Sequence, residues 1–306
     1  MSLVGHEAVV RRFAQALDSG RLHHAWLLYG RAGVGKFVLA RHLAQRYLCA
    51  RRKACGECHA CRMFQAGAHP DALVVAPEEG KRDLSIAQVR ALCAFLALSG
   101  GESERRVVII DRAARMNAQA ANALLKMLEE PSPGSLLLIV CDELQRLPAT
   151  IRSRCMLTAC APLDDAQTAK VLQAEGIAAA HLAMATALAE GCPGRVACLR
   201  DASTAEALLA WQRLTRDATT ADIGAVERWL QRHARTVPHA LIAEVVVRAH
   251  QSCLLRALSA QARQVIDKAL LDLARWPHEV QQHGLRVAAS FLALFLALRQ
   301  ALRAAA

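Results

Sequence analysis

The chain of 306 residues has few aromatic side chains: two tyrosines, six phenylalanines and four tryptophans. So few rings leave little material for stacking the bases of single-stranded nucleic acid. The longest strongly apolar tract, Val287 to Leu298, is shorter than the roughly 20 residues that cross a bilayer, and it predicts a buried helix. The stretch from Met1 to Gly20 lacks the pattern of a secretory signal. We therefore expect a cytoplasmic protein that does not bind membranes.

Acidic residues are also in deficit, 27 against 38 lysines and arginines, which gives a net charge of +11. The basic residues are mostly dispersed arginines, and the only dense basic tract is Arg51-Arg52-Lys53. This pattern predicts a diffuse attraction to phosphate backbones and argues against sequence-specific contact with DNA.

The stretch from Gly30 to Lys36 has the frame of a phosphate-binding loop, G-x-x-x-x-G-K, with glycines at 30, 33 and 35. The apolar run Ala25 to Tyr29 precedes it, and helical periodicity from 37 to 49 follows. That context of strand, glycine turn and helix is what the motif requires. Loop N–H groups and the helix N-terminus would face phosphate, and Lys36 would reach its oxygens.

Three residues depart from an active nucleotide site. Phe37 stands where a serine or threonine normally holds Mg²⁺. Asp111 ends the apolar run from 106 and supplies the expected acid, but Arg112 stands where a glutamate would orient water. Cys141, at the end of the next strand, is a poor donor for sensing phosphate. Packing explains each residue singly, with Phe37 filling a relic pocket, whereas a lost hydrolytic activity explains all three together.

Eleven cysteines without a secretory signal do not indicate a disulfide framework. Four of them form the pattern C-x5-C-x2-C-x2-C, namely Cys49, Cys55, Cys58 and Cys61. Four thiolates at such spacing close a tetrahedral site with no open position, which predicts one structural Zn²⁺ per chain. His59 and His69 are possible substitute ligands. We interpret the other seven cysteines as small core residues.

The order of the elements predicts an α/β fold. Strand-like runs occur at 25–29, 72–76, 106–111, 135–141 and 156–160, mostly separated by helical segments, which indicates a parallel sheet covered on both faces. Helices are expected at 6–18 and 117–130. The strand pattern disappears after about residue 163, and we place domain boundaries near 162 and 205, with an all-helical remainder to 306.

A further motif, Ser153-Arg154-Cys155, follows a short helical segment just before the last predicted strand. Arginine is suited to bridging phosphate oxygens with its planar fork of donors. From composition alone, a solvated pair with a nearby acid is the simpler interpretation.

The loop at 30–36, the cysteine pattern at 49–61, the stretch AANALLKMLEEP at 120–131 and Ser153-Arg154-Cys155 together resemble the bacterial clamp-loader subunits of the AAA+ class. The degenerate loop is most similar to the delta-prime family of DNA polymerase III. The resemblance covers about residues 1–200 well and the helical tail only by length and class.

The resemblance implies an AAA+ domain with a zinc module (1–162, module 49–61), a small helical lid (163–205) and an all-α collar (206–306). It implies a subunit that does not turn over ATP with Mg²⁺. This subunit would help to load the sliding clamp on primed DNA. Arg154 would act as an arginine finger in the ATP site of a neighbouring motor subunit. Motor subunits, a clamp-opening subunit and, through the assembled complex, the clamp and DNA would be its partners, near the nucleoid during replication. Gly194 stands near where the family carries a sensing arginine, so Arg195 is given no such role.

Two alternatives are open from the sequence alone. An active motor ATPase of the same ring would hydrolyse ATP despite Phe37. A zinc-containing nucleic-acid-binding module would explain the cysteine pattern and the positive charge, and would bind DNA as an isolated chain.

Overall fold

The computed structural model describes residues 3–78, 81, 83–97, 104–256 and 259–305, with the side chains of 255 and 256 excepted. The predicted outer limits of the domains, Met1 and Ala306, lie outside these ranges. The chain divides into two compact units, residues 1–167 with 191–194, and residues 168–190 with 195–306. The expected division into three domains stays a prediction.

The first unit is built on a five-stranded sheet in the order β2-β3-β4-β1-β5. Every pairing within it is parallel. The strands are β1 (Ala25–Tyr29), β2 (Ala72–Val75), β3 (Arg106–Ile110), β4 (Ser135–Cys141) and β5 (Met156–Ala159). The parallel α/β layer predicted from the apolar runs is confirmed, and each strand lies within one residue of its predicted bounds.

Six helices of this unit are α1 (Glu7–Asp18), α2 (Lys36–Leu48), α3 (His59–Gln65), α4 (Ile86–Ala97), α5 (Ala118–Glu129) and α6 (Ala149–Arg152). Side chains alternate across the sheet, so that Leu27 and Ile139 join one apolar cluster and Leu28 and Leu138 join another. Helices α4 and α5 contribute to the first cluster, and α1 and α2 to the second. Strands buried on both faces explain the continuous apolar runs in the sequence.

The remaining helices are α7 (Asp165–Ala174), α8 (Ala179–Ala189), α9 (Ala202–Leu214), α10 (Ile223–His233), α11 (His239–Arg256), α12 (Ala260–His283) and α13 (Val287–Ala305). Three tryptophans lie in the core of the second unit. Trp211 and Trp276 meet Phe291 of α13 edge-on, with ring centroids 5.3 and 5.0 Å apart. The indole N–H of each of these three tryptophans has an acceptor, and Trp211 Nε1 donates to Ile242 O at 2.9 Å.

Helix α13 corrects one length argument made from the sequence. The apolar tract was expected to end at Leu298, but the helix continues to Ala305, and its 19 residues are long and apolar enough to cross a membrane. Phe291, Phe295 and Leu298, at i, i+4 and i+7, are fully buried against the core of the second unit. That spacing is the pattern of a helix with one buried face.

Candidate functional site

The phosphate-binding loop connects β1 to α2, as predicted, and its glycines have backbone conformations that other residues rarely adopt. Gly30, Gly33 and Gly35 lie at φ values of 152°, 80° and 98°. At Gly30 a Cβ atom would stand 2.4 Å from the carbonyl oxygen of Cys160. The neighbouring strand end therefore requires glycine at this position.

Lys36, which would reach a phosphate, is engaged within its own chain. Its ammonium donates to the carbonyl oxygens of Gly30 and Arg31, both at 2.7 Å. It also pairs with Oδ1 of Asp142 at 2.6 Å, and its side chain is only 3% exposed. An ammonium has three N–H donors, so these three acceptors use all of them.

The sheet explains why Asp142 meets the loop. Strands β1 and β4 are parallel neighbours, with Tyr29 opposite Cys141. The residue after β4 therefore lies at the same edge as the loop after β1, since parallel strands end together. Asp142 was not among the residues predicted for the site. The pairing of β1 with β4 could have identified Asp142, but the amino-acid sequence alone does not give the order of the strands.

A turn from Gly191 to Gly194 packs directly on the loop. The N–H of Gly194 donates to the carbonyl oxygen of Gly33 at 2.9 Å. A Cβ at position 194 would lie 2.8 Å from the Cα of Gly33, closer than real Cβ contacts. A glycine, rather than a side chain that senses phosphate, occupies this place because the two backbones touch.

The three residues that depart from an active nucleotide site lie in different environments. Phe37 is partly buried and packs against the apolar cluster shared with α1. Arg112 is largely exposed and its Nε lies 3.9 Å from the carboxylate of Asp111. Burial raises the pKa of the Asp111 carboxyl, and the nearby Asp142 raises it further, against the opposing effects of Arg112 and Lys36. Burial likewise raises the pKa of the Cys141 thiol, which keeps it neutral.

The four predicted metal-ligating cysteines converge. Their Sγ atoms all lie within 4.8 Å of one another. The shorter separations are 3.7 Å between Cys49 and Cys55, and 3.9 Å for both Cys55 to Cys61 and Cys58 to Cys49. A tetrahedral ion with bonds of about 2.3 Å to sulfur requires edges of about 3.8 Å. The cluster has the geometry to hold one metal ion.

Local backbone structure brings these thiols together. Cys49 follows α2, and Cys58 is the N-cap of the short helix α3, with Cys61 in its first turn. Burial alone would raise the pKa of Cys49, but hydrogen bonds from the backbone at 51, 53 and 55 lower it to about 6. Burial raises the pKa of Cys61 to about 12. Neither His59 nor His69 belongs to the group of four ligands.

Arg154 lies just beyond α6, with Ser153 as the C-cap of that helix. Its Nη1 donates to Thr150 O at 3.0 Å, and its Nη2 lies 2.7 Å from Oε1 of Glu129. The side chain is 36% exposed. Burial raises the pKa of the adjacent Cys155 to about 12, and this neutral thiol packs against the sheet cluster. Cys155 thus anchors a segment that presents Arg154 at the surface.

Arg195, which was given no phosphate-sensing role, belongs to an ion-pair network within the second unit. Its guanidinium pairs with Glu190 at 2.7 Å and with Glu244 at 2.5 Å. Arg248 pairs with the same two carboxylates, at 3.0 Å to Glu244. These contacts connect the end of α8 with α11, and they were not predicted from the sequence.

Comparison with known proteins identifies a family that covers the first unit of the chain. The family described as DNA polymerase III, delta subunit, matches residues 5–164. DNA polymerase III subunit delta' of Pseudomonas aeruginosa is 48% identical over 140 residues, which cover 45% of this chain and 43% of that protein. The delta' subunit of Escherichia coli K12 is 38% identical over 154 residues, 49% of this chain and 46% of that protein. The matches thus span less than half of these relatives' length.

Among solved structures, a gamma subunit-related protein of DNA polymerase III from Thermotoga maritima covers 96% of this chain, and 99% of that protein is covered. Its TM-score is 0.53 at 14% identity, so the likeness shows the fold alone. The sheet, the degenerate phosphate loop and the family match lead to one conclusion. The chain belongs to the family described as DNA polymerase III, delta subunit, and bacterial delta' subunits are among its relatives.

Proposed function

We propose that this chain is a clamp-loader subunit that does not hydrolyse ATP and that donates Arg154 in trans to the ATP site of a neighbouring motor subunit. The observation that carries the proposal is the engagement of Lys36 by Asp142 and by two loop carbonyls. All three donors of the lysine are occupied inside its own chain, so a phosphate would have to displace at least one of these contacts. Phe37 offers no oxygen to Mg²⁺, which prefers hard oxygen ligands.

The exposed position of Arg154 supports the second part of the proposal. Its guanidinium sits at the end of a short helix, where a partner can reach it, and a planar fork of donors matches phosphate oxygens. An arginine supplied in trans contributes about 10³ to 10⁵ in rate in other nucleotide hydrolases. The loss of this chain's own Mg²⁺ ligand leaves such a contribution intact, because the finger acts in a different pocket.

The four-cysteine cluster would hold Zn²⁺, one ion per chain, in a purely structural role. Four thiolates satisfy the tetrahedral shell and leave no position for water or substrate. Zinc sites of this kind contribute about 10 to 16 kcal/mol of apparent binding free energy in peptides. That is ample to order the segment from 49 to 61, where Arg52 and Ala54 both have positive φ values.

Partners follow from the same proposal. Relatives that match about half of this chain include DNA polymerase III subunits named gamma and tau, 31% and 33% identical over 157 residues. We propose that motor subunits of this kind and a clamp-opening subunit assemble with this chain. The sliding clamp and primed DNA would be met only through the assembled complex.

The test is reconstitution of the complex with Arg154→Ala in place of the wild-type chain. Hydrolysis of ATP stimulated by primed DNA and clamp should fall by at least about 10³-fold at the affected site. Arg146→Ala is the matched control, because Arg146 is another exposed arginine of the same unit that pairs with Glu143 at 2.9 Å. Equal hydrolysis with Arg154→Ala and Arg146→Ala would remove the finger assignment.

The competing function, an active motor ATPase, is tested on the isolated chain. Mg²⁺-dependent turnover above about 0.1 s⁻¹, a low value for an enzyme, would refute the non-hydrolysing assignment. Tight binding of DNA by the isolated chain, with a steep dependence on salt, would instead favour a zinc-containing nucleic-acid-binding module.

A further inference from the structure

Two different elements hold the guanidinium of Arg154. On one side, Nη1 donates to Thr150 O at 3.0 Å and lies 3.4 Å from Oγ of Ser153, both contributed by the helix α6 and its cap. On the other side, Nη2 meets the carboxylate of Glu129, the last residue of α5. The local contacts orient the side chain, and the ion pair comes from elsewhere in the fold.

The position of Glu129 makes its carboxylate an unusual one. Carboxylates are unfavourable at the C-terminal end of a helix, where the backbone carbonyls concentrate negative potential. Arg154 offsets that potential in the resting chain. Because Glu129 is 50% exposed and Arg154 36% exposed, the pair is screened by water, and pairs of this kind shift equilibria by no more than about fivefold.

A carboxylate and a phosphate recognise the same face of a guanidinium, since each offers two oxygens to its parallel N–H groups. The Nη1 contacts to Thr150 and Ser153 lie on α6 itself and do not depend on Glu129. One oxyanion can therefore replace another at Nη2 while the rest of the side chain keeps its orientation.

We propose that Glu129 is an exchangeable counter-ion of Arg154, which occupies the guanidinium until a phosphate oxygen of the neighbour's nucleotide displaces it. This inference rests on the proposed role of Arg154 as a finger. It predicts a competition: nucleotide bound at the subunit interface must break the pair of Glu129 with Arg154 before the finger engages.

The experiment measures KM and kcat for ATP in the reconstituted complex, stimulated by clamp and primed DNA, with Glu129→Gln. The amide keeps the shape and removes the charge, so KM should fall by about two- to fivefold while kcat stays unchanged. Glu130→Gln is the matched control, because Glu130 is the next carboxylate along and takes no part in the Arg154 contacts. It should leave both constants at their wild-type values.

Glu129→Ala should shift KM in the same direction, and it keeps the test informative should the amide disturb assembly. In the Arg154→Ala background, Glu129→Gln should have no further effect. An unchanged KM, a fall in kcat, or a KM shift that persists without Arg154 would each overturn the role of Glu129. If Arg154→Ala itself leaves hydrolysis unchanged, the proposed function fails instead, and the two failures are thereby distinguished.

Discussion

The pairing of Lys36 with Asp142 makes a sharp prediction about stability. In a working phosphate loop, the lysine serves the ligand, and its removal impairs catalysis more than folding. Here Lys36 is 3% exposed and ties the loop to the residue after β4. We expect Lys36→Met and Asp142→Asn each to destabilise the chain, and the double variant to cost less than the sum of the two.

The contacts of Lys36 set the size of the expected coupling free energy between Lys36 and Asp142. A hydrogen bond to a charged group contributes about 1.5 to 3 kcal/mol. Asp142 is 40% exposed, and when Asp142 is replaced two carbonyl oxygens still accept hydrogen bonds from Lys36. The lower end of this range of free energies therefore applies. We therefore expect a coupling free energy of about 1.5 kcal/mol between the two side chains. At about 2 to 4 °C per kcal/mol for a domain of this size, that is about 3 to 6 °C in melting temperature.

The assay is differential scanning calorimetry of the four proteins of the double-mutant cycle. The exposed pair of Lys81 and Glu78, at 2.5 Å, provides the matched control, since its lysine is 65% exposed. The equivalent cycle there should give a coupling below about 0.5 kcal/mol. Additive effects of Lys36→Met and Asp142→Asn on stability would refute the stabilising ion pair between the two side chains. So would tight binding of ATP by the wild-type chain that Lys36→Met abolishes.

Three further outcomes are expected. Gly194→Ala should lower the free energy of unfolding by about 1 to 3 kcal/mol in urea titrations, because its Cβ would press on the Cα of Gly33; an unchanged value would contradict the contact. Cys58→Ala should reduce the zinc content well below one ion per chain by elemental analysis, and full retention would contradict the ligand set. Hydrogen bonds from Ser203 and Thr204 lower the pKa of Asp201 from 3.8 to about 2. Its contribution to stability is therefore complete above pH 3.8 and is lost as the pH falls towards 2, so Asp201→Asn should flatten melting temperature against pH in that window.

The three central strands of the sheet were predictable because they are buried on both faces. Continuous apolar runs such as Val107 to Ile110, ended by polar residues, leave little freedom in the assignment of strands. The short helix α3 was missed for the opposite reason. Only Cys61 and Phe64 are buried among its seven residues, and it begins directly after Cys58, whose thiol belongs to the cluster. A helix fixed by such local constraints has little periodicity to detect.

The candidate site was predictable in its residue types but not in its contacts. The sequence indicates that Lys36 belongs to a phosphate loop, and only the order of the strands brings Asp142 beside it. In the same way, the motif at 153–155 points to Arg154, whereas its pairing with Glu129 depends on how α5 and α6 pack. Contacts between residues distant in sequence come from tertiary packing, which local patterns do not encode.

Lys36 and Arg154, both in the first unit, differ in how strongly their present contacts would resist displacement by a phosphate. Lys36 is buried, and its three donors are occupied by two carbonyl oxygens of the loop and by the carboxylate of Asp142 after β4. Arg154 is exposed, and its ionic partner Glu129 is weakly held in solvent. A phosphate arriving at the loop would have to displace an enclosed contact, whereas one arriving at Arg154 displaces a screened one. The more accessible cation is therefore the one that we expect to meet nucleotide, in a neighbour's pocket.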